Sequence, residues 1–65
     1  MWGGYMAQDE VLAAIKFGER VTTKIIEERT GIPKKQVAFD LKKLSLYGLV
    51  EHVDNDDRWK IWERR

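Results

Sequence analysis

Cysteine is missing from this 65-residue chain, so neither a disulfide nor a thiolate-bound metal can support the fold. There is one proline, Pro33, and one histidine, His52. A lone histidine, with no cysteine or second histidine to join it, is not expected to form a metal site. No apolar run approaches the ~20 residues that span a bilayer, and no basic-apolar-small signal pattern appears. These absences lead us to expect a soluble, cytoplasmic protein. Glycine-rich phosphate loops, nucleophile elbows and metal-ligand spacings are also missing. The acidic pairs Asp9-Glu10 and Glu27-Glu28 fall on expected helices, where neighbouring side chains diverge, so they read as solvated faces and not as acid/base dyads. An enzyme is not expected, nor a cofactor, a metal or a small-molecule ligand.

Net charge is only +1, so global charge does not announce a nucleic-acid binder. The distribution is more informative. Pro33 to Lys43 holds four lysines against one aspartate, and the tail adds Arg58, Lys60, Arg64 and Arg65. Acid is placed elsewhere, at Asp9, Glu10, Glu19, Glu27, Glu28, Asp54, Asp56 and Asp57. A chain this short makes one domain, residues 1–65, with a small core. Its 43% hydrophobic content includes three tryptophans that can fill one. Charged residues reach 35%, against one Asn and two Gln, which matches a thermophile composition.

Residues 31–50 organise the chain. Thr30-Gly31 is a turn signal, and Pro33 suits a first helical turn, where its missing N–H costs nothing. Val37, Leu41 and Leu44 recur at i, i+4, i+7 and share a face, and Gly48 is placed to end the helix in the left-handed region. Lys34, Lys35 and Gln36 point outward near the start, with Lys42 and Lys43 further along. Lysines at the exposed start of a seamed helix suit phosphates, and Gln36 suits a base edge. A plain solvated helix is the alternative on these residues alone.

Upstream, Met1 to Met6 is short and glycine-broken and reads as a frayed tail. Gln8 to Phe17 reads as the first helix, with Val11, Leu12 and Ile15 inward and Ala14 allowing close approach. Glu19 to Val21 is a short extended connector. Thr22 or Thr23 caps a second helix, Lys24 to Arg29, with Ile26 as its core residue. Downstream, Leu49 to Val53 is β-rich, Asp54 to Asp57 is a turn cluster, and Arg58 to Trp62 alternates strictly. That is a hairpin, with Trp59 and Ile61 inward and Trp62 facing out. An outward Trp62 together with Trp2 and Tyr5 makes an apolar patch, and hence a candidate homodimer interface.

Helix, short strand, helix, turn, helix and hairpin, with Thr-Gly-Ile-Pro-Lys-Lys-Gln-Val at 30–37 and Tyr-Gly-Leu-Val at 47–50, resembles the winged helix-turn-helix family over residues 8–62. The resemblance implies an α+β fold of three helices and a C-terminal β-hairpin wing. It implies a transcriptional regulator of prokaryotic or viral type that inserts helix 33–47 into the major groove of double-stranded DNA, nucleoid-associated or in the host cytoplasm. Pro33, Lys34, Lys35, Gln36, Phe39 and Lys42 would face DNA, with Lys43 on phosphate and Arg58 and Lys60 as wing contacts. Two positions depart from the family: Glu27 stands where a small residue is usual, and Phe39 where a polar base-reader is usual. Pro33 to Val37 with Trp59-Lys60-Ile61 is similar, more narrowly, to the Zα domains that bind left-handed DNA. Trp59 matches their wing tryptophan, whereas Ala38 and Lys42 replace their Asn and Tyr. Trp59 is expected to pack the hairpin against the third helix. The alternative functions are a winged-helix protein-interaction module in a transcription or replication assembly, and a non-specific or Z-form nucleic-acid binder.

Overall fold

Two arginines distant in sequence decide where the first helix stops. In the computed structural model, which describes residues 4–65 and side chains from Gln8 onward, α1 spans Gly4–Ala13. Its last carbonyls lack intrahelical partners, as at any helix end. The Arg64 guanidinium donates to the carbonyls of Leu12 and Ile15 at 3.2 and 2.8 Å, and Arg29 donates to that of Ala14 at 2.9 Å. Cations there also oppose the negative end of the helix dipole. The helix begins and ends about one turn earlier than its sequence periodicity predicts, and Gly4, Tyr5 and Met6 belong to it and not to a frayed tail. Val11 and Ile15 are buried as expected, and Leu12 and Ala14 pack beside them.

The next boundaries follow local chemistry. β1 (Arg20–Val21) leads into α2 (Thr23–Thr30). Thr22 is the N-cap, its hydroxyl accepting from the Ile25 N–H at 3.3 Å. Ile26 is fully buried. Gly31, at φ 77°, closes α2 with its N–H donated to the Glu27 carbonyl at 2.8 Å. Ile32, inside the turn, is also fully buried. α3 (Lys34–Leu46) starts after Pro33, which sits at the cap position with φ −56°. Gly48, at φ 78°, ends it in a Schellman arrangement. There the Gly48 N–H reaches the Ser45 carbonyl and the Leu49 N–H reaches the Leu44 carbonyl, each at 3.0 Å.

β2 (Val50–Asp56) and β3 (Trp59–Arg64) form the hairpin. Their turn is shorter than the acidic cluster suggests. Asp54 to Asp56 stay in β2, Asp56 pairs with Trp59, and only Asp57-Arg58 turn the chain, Asp57 at φ 58°. Aspartate tolerates that left-handed conformation better than most residues. The described residues form an α+β structure of three helices and one antiparallel sheet of order β1-β3-β2.

The hairpin's facing corrects the sequence expectation. Trp62 turns inward, 7% exposed, while Trp59 and Ile61 are half-buried. Pairing decides this. β1 docks on β3 with Val21 opposite Trp62, and Val21 is a core residue, so Trp62 must share its face. A bulge between His52 and Asp54 then shifts the register of the outer strand. The core lies between the three helices and this sheet face.

Candidate nucleic-acid interface

α3 carries Lys34, Ala38 and Lys42 on one stripe and Lys35 and Phe39 on the next, each at i+4 spacing. The hairpin's inner strand rises beside them. Between the two lies an open groove of about 500 Å³, lined by these five residues, by Arg58, Trp59, Lys60 and Trp62, and by Thr23 of α2. Five of the ten lining side chains are cationic and none is acidic. The hairpin acids Asp54 and Asp56 are on β2, the outer strand, and do not line the groove.

Helix and hairpin are joined through aromatic rings. The Lys34 ammonium lies 4.8 Å from the centre of the Trp59 ring, so Trp59 ties the hairpin strand β3 to the start of α3 as expected. Trp62 closes the groove from the core side, and its indole N–H has no acceptor among the described residues. His52 packs on Trp62 at 5.4 Å between ring centres.

Six of the nine residues expected to face DNA come together here: Lys34, Lys35, Phe39, Lys42, Arg58 and Lys60. Three do not. Pro33 is exposed at the cap of α3, outside the groove. Lys43 turns aside, its ammonium 5.4 Å over the Phe39 ring. Gln36, the expected base-reader, is half-buried and donates its side-chain amide to Asp40 Oδ1 at 3.0 Å. That bond holds the Gln36 amide on a different face from the groove. Asp40 itself is fully buried, and its Oδ2 finds no partner among the described residues. Burial raises its pKa, opposed by the Gln36 hydrogen bond and by the nearby Lys43 charge.

Of the expected interface residues, Trp62 is in the core, and the side chains of Trp2 and Tyr5 lie outside the described residues. Thr23, Ala38, Trp59 and Trp62 are groove residues that the charge pattern does not nominate, because they carry no charge. Among the described residues no cluster of three or more His, Asp or Glu side chains is placed to hold a metal ion, and no helix is long and apolar enough to cross a membrane. No family model matches the chain, and no curated protein sequence matches it either.

Proposed function

We propose that this protein is a winged-helix DNA-binding protein, acting as a transcriptional regulator, that presents α3 to the major groove of duplex DNA and β3 to the adjoining backbone. One observation carries the reading: five cations from two separate elements, Lys34, Lys35, Lys42, Arg58 and Lys60, surround one groove from which every acid is excluded. On a chain of net charge +1, such segregation creates a local positive field despite a near-neutral body. The element order and the glycine-ended α2-turn-α3 unit support the same reading. With Gln36 held by Asp40, Phe39 and Ala38 are the side chains available to touch bases, and both suit the thymine methyl.

Five phosphate contacts give a slope of log affinity on log salt of about −4 to −5. The test is binding of the intact chain and of a Lys34→Ala/Lys35→Ala variant to a random-sequence duplex pool at low and moderate salt. Selection of a sequence by the wild type, with loss of binding in the variant, supports a regulator. Equal affinity for all sequences supports a non-specific binder instead.

A protein-interaction module is the second reading, and a specific observation favours it. Phe17, Leu46, Tyr47 and Leu49 are exposed, and none lines the groove. Phe17 lies under the Arg64 guanidinium and the Leu49 carbonyl accepts from Arg65, so both flank the end of β3 remote from the Asp57-Arg58 turn. No binding to DNA even at low salt would leave this surface as the functional one.

A further inference from the structure

The groove is built for more than phosphate. Three of its ten lining residues are aromatic, Phe39 from α3 and Trp59 and Trp62 from β3. In an intact duplex the faces of the bases are stacked on one another, and a protein meets only base edges, sugars and phosphates. An aromatic ring in such an interface has no base face to stack on. In an unpaired strand it does, and basic grooves with aromatic platforms are the recurring solution for single strands.

Phe39 has the geometry of a platform. It is 52% exposed, although it is a large apolar side chain at the middle of a basic wall. The Lys43 ammonium lies over its ring at 5.4 Å, and Lys43 is not a groove residue. Lys43 therefore meets the ring from outside the groove lining and does not fill the groove beside Phe39. Trp59 differs, because Lys34, which covers it, is itself a groove residue. The groove's volume of about 500 Å³ lies within the ~300–1,000 Å³ of sites that enclose a small organic ligand. A nucleoside is of that class.

We infer that the groove seats an unpaired nucleotide of a DNA strand, its base stacked on the open face of Phe39 and its flanking phosphates held by Lys35, Lys42 and Lys60. The inference rests on the reading of this face as a DNA interface and extends it to melted or single-stranded DNA. Arg58 and Lys34 add to the same positive rim, so charge and aromatic surface select one kind of occupant, a polyanion that carries flat unstacked rings.

The test compares four labelled probes of equal length: oligo-dT, an abasic deoxy-oligomer, a duplex and oligo-rU. Anisotropy gives affinity and tryptophan emission reports stacking beside Trp59. Oligo-dT should bind at least about fivefold more tightly than the abasic strand, which has the same phosphates but no base. It alone of those two should quench the emission. Phe39→Leu should abolish that preference, and Phe39→Trp should retain it. Phe39 is not a core residue, and circular dichroism of both variants checks that the fold persists. Equal binding of oligo-dT and the abasic strand, with the duplex still bound, overturns this inference alone. An unchanged preference in Phe39→Leu overturns it too. Failure of all four probes removes the DNA reading with it. Tighter binding of oligo-rU than oligo-dT overturns the assignment to DNA.

Discussion

Gln36 donates its side-chain amide to Asp40 Oδ1 at 3.0 Å, one helical turn along α3, and this bond separates the polar residues of the helix into two groups. The lysines of the groove wall stay free to meet an anion. Gln36 and Asp40 are committed to the protein's own interior, and Asp40 supplies the one acid of α3 where it cannot repel a phosphate.

That arrangement carries a stability cost with a defined pH dependence. Burial raises the Asp40 pKa above its ordinary 3.8, so the folded protein holds this proton more tightly than the unfolded chain does. For a raised carboxyl the contribution is favourable at low pH and is lost as pH rises through the folded value. Asp40→Asn keeps the acceptor for Gln36 and removes the charge. It should raise Tm at neutral pH by a few °C, a gain that shrinks as the pH falls and Asp40 itself takes up a proton. Thermal scans of both proteins across the acid range check this, and a lower Tm for the variant at neutral pH would show that the charge is compensated.

Glu19 behaves in the opposite sense. Both its oxygens accept from Arg29, at 2.9 and 2.6 Å, and it also accepts from the Lys16 N–H at 3.0 Å. The Arg29 hydrogen bonds are the largest cause, and they hold its pKa at about 2 against an ordinary 4.5. A depressed carboxyl stabilises above its unfolded pKa, and that contribution is lost as pH falls from about 4.5 towards about 2. Glu19→Gln should therefore lower Tm at neutral pH and flatten the acid limb of the Tm-pH curve. Because Arg29 also caps the Ala14 carbonyl, the variant should loosen the end of α1, seen as faster amide exchange at residues 14–16.

How far these features were legible depends on whether their causes are local. The α2-turn-α3 unit is written in adjacent residues: Thr22 as cap, Gly31 and Pro33 at the turn, Gly48 at the stop, and Val37, Leu41 and Leu44 on one stripe. The two lysine pairs of α3 and the two hairpin cations were equally readable, and all but Lys43 reach the groove. The hairpin facing was not readable, since apolar residues of both parities, Ile61 and Trp62, compete for the core. Val21 decides the matter by pairing from 41 positions away, and no local pattern announces the bulge after His52. The end of α1 likewise depends on Arg64, 52 residues from Leu12. Asp40 did leave a signal: positions 37, 40, 41 and 44 make a complete buried stripe, and an acid on it is buried by geometry, with Gln36 the i−4 neighbour that can satisfy it.

Gly48 tests the stop signal. A Cβ built there meets nothing within 4 Å, so space is not the constraint, and its φ of 78° is. Gly48→Ala should cost about 1–2 kcal/mol through backbone strain alone. In a domain of this size each kcal/mol lowers Tm by roughly 4–8 °C. Gly48→Asn should cost less, because asparagine enters the left-handed region more readily. Equal losses for the two variants in urea or thermal unfolding would mean that the strain account is incomplete.

The groove separates the cations of α3 and β3 into those that line it and those that do not. Lys42 and Lys60 stand on its opposite walls, whereas Lys43 is drawn over Phe39 on the outside. If phosphates occupy the groove, Lys42→Ala and Lys60→Ala should each make the salt slope shallower by about 0.9 and weaken binding to every sequence alike. Lys43→Ala should change the slope by less, although it removes the same charge from the same helix. Gln36→Ala should leave sequence preference unaltered, since its amide is spent on Asp40. Measuring log affinity against log salt for the four variants separates a specific docking geometry from diffuse attraction, because diffuse attraction would give Lys43→Ala the same effect as Lys42→Ala.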